Sequence, residues 1–222
     1  MKRALLIGSN GTIGEALSKT LHANYEVHLV SRDTTDYSDA SLSRLNSSLK
    51  KAGDFSVIIC CVGSLHDRFL NPEKRLSDLS EEMLMEYFRV NTVIPSLCLK
   101  HFSSLLDRTQ NAKFVVLSAM VGSIAENSLG GWYGYRSSKA ALNMMIKTAS
   151  IEVNRTNKNA AVIAIHPGTT IGRLSKPFAA GIDRDKYYTP EVTAHRIVNV
   201  VESLSSKDSG LFFNWDGRKI AW

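Results

Sequence analysis

No stretch of this 222-residue chain approaches the roughly 20 consecutive apolar residues that a helix needs to cross a bilayer. The sequence therefore predicts a soluble protein without a membrane partner. Its basic start, "MKRALLIG", resembles a leader only superficially, because just four apolar residues, Ala4 to Ile7, precede Gly8; it reads as a first strand. Cysteine is scarce: Cys60, Cys61 and Cys98 have no metal-ligand spacing, and none of the six histidines pairs with another at such a spacing. These absences predict no metal site, and reduced, buried thiols in a cytoplasmic protein. A net charge of +6 and a pI near 9.2 would suit nucleic acid. The basic residues are scattered singly, however, without a run or interleaved aromatics, which argues against a nucleic-acid partner and leaves a phosphorylated small ligand to account for the sign. No internal repeat and no low-complexity tract divides the chain, so residues 1–222 are expected to form one domain.

What the chain does have is alternation. "ALLIG" (Ala4 to Gly8), "VHLV" (Val27 to Val30), "VIICCVG" (Val57 to Gly63), "FVVLS" (Phe114 to Ser118), "AVIAIHPG" (Ala161 to Gly168) and "GLFF" (Gly210 to Phe213) are short β-rich apolar runs. Between them lie helical stripes: Ile13, Ala16, Leu17 and Leu21; Met83, Tyr87, Val90, Ile94 and Leu97; Leu142, Met145, Ile146, Ala149 and Val153. The polar segment Thr34 to Lys51 is expected to hold a short strand near Asp36 and Tyr37, then a helix. Strands that are apolar throughout, separated by amphipathic helices, predict an α/β fold: a doubly wound, Rossmann-type parallel sheet of about seven strands covered on both faces.

In such a fold the ligand lies outside the carboxyl ends of the strands. The first turn, "IGSNGTIGEAL", sets Gly8, Gly11 and Gly14 between the first strand and the first helix, where glycine lets backbone approach a pyrophosphate over a helix N-terminus. Its pattern is G-x-x-G-x-x-G rather than the G-x-G-x-x-G dinucleotide fingerprint, so location is the better argument. No Gly-Lys-Ser/Thr follows, which disfavours an NTPase phosphate loop. The second strand ends Val30-Ser31-Arg32. A small residue and a guanidinium suit the 2′-phosphate of NADP(H); Asp33 dissents, and NAD(H) stays possible.

"GGWYGYRSSKAAL" contains two tyrosines, but only Tyr135 has a lysine, Lys139, four residues on, one turn along the same helix face. A tyrosine ordinarily titrates near pH 10, so exchanging a proton with an alcohol at neutral pH requires a cation to stabilise the phenolate. Bringing it down to about 7 takes on the order of 4 kcal/mol, within reach of Lys139 in a partly dehydrated cleft.

These residues, taken in order, resemble the short-chain dehydrogenase/reductase family from end to end, and most closely its small C-factor-like branch. The carriers are "GSNGTIG", Asn91 in "RVNTVIP", "YRSSKAAL" and "HPGTT", with "PEKRL" (Pro72 to Leu76), "GGWYGYRSSKAALNM" and "WDGRKIAW" similar to that branch in particular. The resemblance implies an NAD(P)-dependent oxidoreductase, with NADP(H) favoured, that reduces a ketone or aldehyde to an alcohol or runs the reverse. Tyr135 would be the general acid. Lys139 would hold the nicotinamide ribose and lower the tyrosine pKa, and Asn91 would support a proton-relay water through its backbone. Cofactor contacts would come from Gly8, Ser9, Asn10, Gly11, Thr12, Ile13 and Gly14 at the pyrophosphate, from Ser31, Arg32 and Asp36, from Cys61, Val62 and Gly63, and from Pro167, Gly168, Thr169 and Thr170 at the carboxamide end. Residues 171–188 fall where the family places a substrate lid; Phe178, Tyr187 and Tyr188 either line its pocket or hold the loop down. A homodimer or homotetramer through the helices bearing Asn91 and Tyr135 is also implied, with Met83, Met144 and Leu99 as surplus apolar residues.

Two positions depart from the family. Cys60-Cys61-Val62-Gly63 replaces its Asn-Asn-Ala-Gly, removing hydrogen bonds that brace the central sheet. Ala119 replaces its substrate-orienting serine. Ser118, one residue early on a strand of alternating faces, or Ser123, after the turn, would supply the hydroxyl, or neither does. That loss sustains an alternative: a nicotinamide-nucleotide-binding signalling or sensor protein with little turnover.

Overall fold

The computed structural model describes residues 1–181 and 187–222. Six parallel strands and one antiparallel strand form the main sheet: β1 (Lys2–Ile7), β2 (Tyr25–Val30), β3 (Val57–Cys60), β4 (Ala112–Leu117), β5 (Ala160–His166), β8 (Phe212–Asn214) and β9 (Lys219–Ile220). Their order is β2-β1-β3-β4-β5-β8-β9, while β6 (Thr169–Thr170) and β7 (Tyr187–Tyr188) make a separate short pair. The central strands β3 and β4 are buried along their whole length, as runs without polar alternation require when helices cover both faces.

Each face has its own core. Helices α1 (Thr12–Leu21) and α6 (Pro190–Ser203) bury Ala16, Leu17, Leu21, Ala194 and Ile197 against one face. On the other lie α2 (Asp39–Ala52), α3 (Glu81–Phe88), α4 (Ile94–Phe102) and α5 (Tyr133–Thr156), whose Leu42, Ile94, Cys98, Leu142 and Ile146 pack on Ile58, Phe114 and Val162. Between α3 and α4 the chain makes a π-helical turn, Arg89–Val93, a local widening that often marks functional positions.

Several expectations need correcting. No strand forms at Asp36 and Tyr37: Tyr37 takes a left-handed φ of 60°, and Asp36 accepts hydrogen bonds from the Ser38 amide (2.9 Å) and hydroxyl (2.8 Å). Ser38 in turn caps α2, so the side chains satisfy the backbone locally where a strand would need a ladder. The seventh strand is instead β9, returning antiparallel through the "WDGRK" turn. Leu99, expected to be spare for an interface, is 5% exposed in the core, whereas Met145, expected in the buried stripe of α5, is 44% exposed. Helix α5 thus buries a narrower stripe than its sequence suggests. Part of the expected lid, 182–186, lies outside the described residues.

Candidate functional site

Everything converges at the carboxyl ends of β1, β3, β4 and β5. After β1 the chain reverses with Gly8 at φ 82°, its amide donating to the Val30 carbonyl (2.8 Å), so the end of β2 is stitched to the turn. At Gly14 a Cβ would stand 2.3 Å from the Gly8 carbonyl oxygen. Only glycine permits this closeness, and it brings the start of α1 against the turn. No side chain caps α1. Its first amides thus have no partner within the helix and, with the positive end of the helix dipole, form a site of the kind that binds phosphate. These residues fit the pyrophosphate of a dinucleotide. Gly172, at the start of the expected lid, packs over the turn: a Cβ there would stand 2.8 Å from the Thr12 methyl.

At the end of β2, Ser31 is buried, its amide bonded to the Thr34 hydroxyl and its hydroxyl accepting from the Asp33 amide. Arg32 is exposed. Asp33, the residue that dissented from NADP(H), accepts a hydrogen bond from the Asn10 side chain at 2.5 Å. Asp36 is exposed and accepts the hydrogen bonds from Ser38 given above.

The π-turn delivers Asn91 to the centre of the site with no exposed surface. Its Oδ1 accepts from the Ser64 amide (2.8 Å), and its Nδ2 donates to the Ser64 carbonyl (2.9 Å) and the Ser138 hydroxyl (3.2 Å). One carboxamide therefore pins the loop after β3 to helix α5. Thr92 adds a bond from its hydroxyl to the Ser138 carbonyl, 2.7 Å. Next along α5, Lys139 is 4% exposed, and its Nζ donates to the Leu117 carbonyl at 3.0 Å. Gly63 makes this possible, since a Cβ there would stand 3.0 Å from Lys139 Nζ and 3.2 Å from Asn91 Oδ1. Burial pulls the lysine down to about 8, with Cys60 and Cys61 opposing. Apolar packing replaces the missing asparagines: Cys60 is fully buried among core residues that include Cys98.

Tyr135 is the tyrosine on the inner face of α5, while Tyr133 stands 36% exposed. Its ring meets Tyr87 and Trp132, each 6.3 Å between centroids, and Trp132 in turn meets Phe178 of the lid segment at 5.1 Å. Burial pushes the Tyr135 phenol above its ordinary value, opposite to the lowering expected from Lys139. The group rests in its acid form, ready to donate a proton.

Neither candidate serine is free. Ser118 Oγ donates to Asn143 Oδ1 (2.6 Å), and Asn143 itself donates to the Gly122 carbonyl (3.1 Å). Ser123 Oγ donates to the Ala221 carbonyl (2.6 Å), tying the turn to the C-terminal segment. Of the expected nicotinamide segment, Gly168 has φ 80°, Thr169 is half-buried, and the Thr170 hydroxyl is held to Thr193 of α6 at 2.9 Å.

The sequence reading missed Glu73 as a site residue, although "PEKRL" contains it. Gly130, Gly131 and Trp132 are successively left-handed, φ 64°, 64° and 53°, a conformation a tryptophan adopts only under external constraint. Glu73 supplies that constraint: its carbonyl accepts from the Trp132 amide (2.5 Å), and its buried carboxyl accepts from the Gly134 amide (3.1 Å). The first turn of α5, and Tyr135 with it, is thereby fixed from the opposite side of the site.

A family model described as short chain dehydrogenase matches residues 3–181. Among curated proteins, the chain is 29% identical over 147 residues to 1-hydroxy-2-glutathionyl-2-methyl-3-butene dehydrogenase of a Rhodococcus strain, a match covering 66% of this chain but only 62% of that one. It is also 29% identical over 106 residues to C-signal of Myxococcus xanthus, covering 48% of this chain and 58% of that protein, in line with the branch resemblance. Two solved structures share the fold: carbonyl reductase Sniffer of D. melanogaster (TM-score 0.84, 21% identity, both chains covered in full) and NADPH-bound carbonyl reductase from chicken fatty liver (TM-score 0.81, 21% identity, 100% and 99% covered). With a family match over most of its length, and the sheet and glycine turn described above, this chain belongs to the short chain dehydrogenase family.

Proposed function

We propose that this protein reduces a ketone or aldehyde to an alcohol, or runs the reverse reaction, with NADP(H) preferred over NAD(H). The observation that carries the reading is the buried Lys139 one helical turn from Tyr135, braced by the Asn91 network. A buried ammonium costs stability, and this network holds it one helical turn from a phenol that burial keeps protonated. The bound nicotinamide would supply the hydride. Tyr135 would give its proton to the carbonyl oxygen, leaving a phenolate that Lys139 stabilises. Asn91, committed to Ser64 and Ser138, would act by holding the loop after β3 and the start of α5 at fixed separation. With Ser118 and Ser123 both engaged elsewhere and alanine at 119, the substrate oxygen would receive its main hydrogen bond from Tyr135 alone.

The NADP(H) preference rests on Arg32, which is exposed, and on Asp33, which is turned to Asn10. The NADPH-bound carbonyl reductase from chicken fatty liver, which shares this fold, supports both halves of the reading. A sensor with little turnover is favoured by one observation, the lack of a free hydroxyl at position 119. We further propose a cytoplasmic homodimer or homotetramer, supported by the exposed apolar residues Val93, Met144, Met145 and Ile151 on the helices of the Asn91 and Tyr135 segments.

One titration tests these readings together: purified protein against NADPH and NADH, followed by a panel of ketones and aldehydes. The expected result is tighter NADPH binding, weakened selectively by Arg32→Glu, with cofactor oxidation that Tyr135→Phe abolishes. Full activity in Tyr135→Phe refutes the proton donor, and binding without turnover favours the sensor.

A further inference from the structure

Beside the site, at the carboxyl ends of β5 and β8, lies a cavity of about 370 Å³ that the mechanism above does not use. Its lining includes Met120, which directly follows Ala119; Gly168 and Thr169 of the segment proposed for the nicotinamide; and Trp215. Tyr188 and Arg218 also line it, together with His166 and Asn214. His166 and Asn214 are register partners on neighbouring parallel strands, so their side chains leave the sheet side by side on one face. His166 Nδ1 and Asn214 Oδ1 are both buried, and neither has a hydrogen-bond partner among the described residues. Asn214 as a whole is 6% exposed. Native structures satisfy nearly all such atoms, so a neighbouring pair of unmet ones lining a single cavity points to a ligand group.

The chemistry of that group follows from charge. Burial pulls His166 down to about 4, with Asp216 opposing, so at neutral pH the imidazole carries no charge. Arg218, also in the lining, is paired with Asp216 at 2.7 Å. The Arg196 guanidinium lies over the Tyr188 and Trp215 rings of the lining, at 3.8 and 3.9 Å; a carboxylate would still oppose the Asn214 acceptor oxygen, and an ammonium would meet no unpaired anion there. An uncharged hydroxyl matches both atoms: it donates to Asn214 Oδ1 and accepts from the Nδ1–H tautomer of His166.

We propose that this cavity is the far wall of the substrate pocket, and that His166 and Asn214 select carbonyl compounds bearing a hydroxyl group beyond the reacting carbonyl. The proposal rests on the carbonyl-reductase reading and names the substrate class for that site. A hydroxyl placed there reproduces the hydrogen bonds that water would make, whereas a methyl leaves two buried polar atoms unpaired.

The test is a ladder of methyl ketones with a terminal hydroxyl at increasing distance from the carbonyl, each paired with the isostere ending in methyl, assayed with NADPH. At one chain length kcat/KM should favour the hydroxyketone by on the order of tenfold or more. That ratio should collapse toward one in Asn214→Leu and in His166→Phe. Turnover without a preference at any length overturns the proposal and leaves the reductase reading intact; so does a preference that survives in both variants. The wild-type ladder alone can refute it even if a variant fails to fold. The imidazole nitrogen resonances of His166 in labelled protein are followed with the same compounds. A shift with the hydroxyketone but not with its isostere, in the absence of any turnover, upholds the cavity and overturns the reductase reading, while no shift and no turnover overturns both.

Discussion

Asn91→Ala removes the carboxamide that joins two distant pieces of chain. In the wild type, Asn91 satisfies both the amide and the carbonyl of Ser64, a residue only 7% exposed. Alanine leaves these two main-chain groups buried and unpaired, at about 1–3 kcal/mol each. Some relaxation of the loop after β3 toward water offsets part of the sum, so a loss of about 3 kcal/mol is expected. For a chain of this size each kcal/mol lowers the melting temperature by about 2–4 °C, so the variant should melt about 6–12 °C below wild type. Thermal unfolding followed by circular dichroism at one scan rate measures it. An Asn91→Ala protein melting within about 2 °C of wild type would refute the claim that this carboxamide holds the site together.

Three further outcomes are expected. Ala119→Ser should raise kcat/KM on accepted ketones by as much as about a hundredfold if the site lacks only a second hydrogen bond to the substrate oxygen, and an unchanged rate would show that position 119 does not face the carbonyl. Lys139 has its folded value pulled down to about 8 against an ordinary value near 10.4, so folding releases its proton between those limits. Its destabilising effect is complete below pH 8 and fades as pH rises toward 10.4. Lys139→Met should accordingly lose activity yet melt above wild type at pH 7, with the gap closing by pH 10; a gap independent of pH would refute the buried-ammonium account. Light scattering at working concentration should give the mass of a dimer or tetramer, and a monomer would dispose of the proposed helix interface.

The sequence by itself determined the six parallel strands of the main sheet, the glycine turn and the one-turn spacing of Tyr135 and Lys139 on α5. Each is written within a few residues: unbroken apolar runs of four to six residues, as in β3 and β5, fit a sheet covered on both sides, and a four-residue spacing on a helix fixes two side chains on one face. The same local reasoning failed where partners are remote in the chain or where polar side chains offered the backbone another solution. Asp36 turned to Ser38 and cancelled the expected short strand. Leu99 went into the core because α4 packs on the sheet, which no helical stripe specifies on its own. Ser118 and Ser123 each looked like a spare hydroxyl in the sequence, yet their partners lie 25 and 98 residues away. Glu73 fixes the approach to α5 across 61 residues, and His166 meets Asn214 only because β8 lies beside β5. Periodicity reports which face of an element is apolar; which buried donor finds which acceptor is settled only when the elements pack, because the cost of an unmet polar group is felt only after water has been excluded.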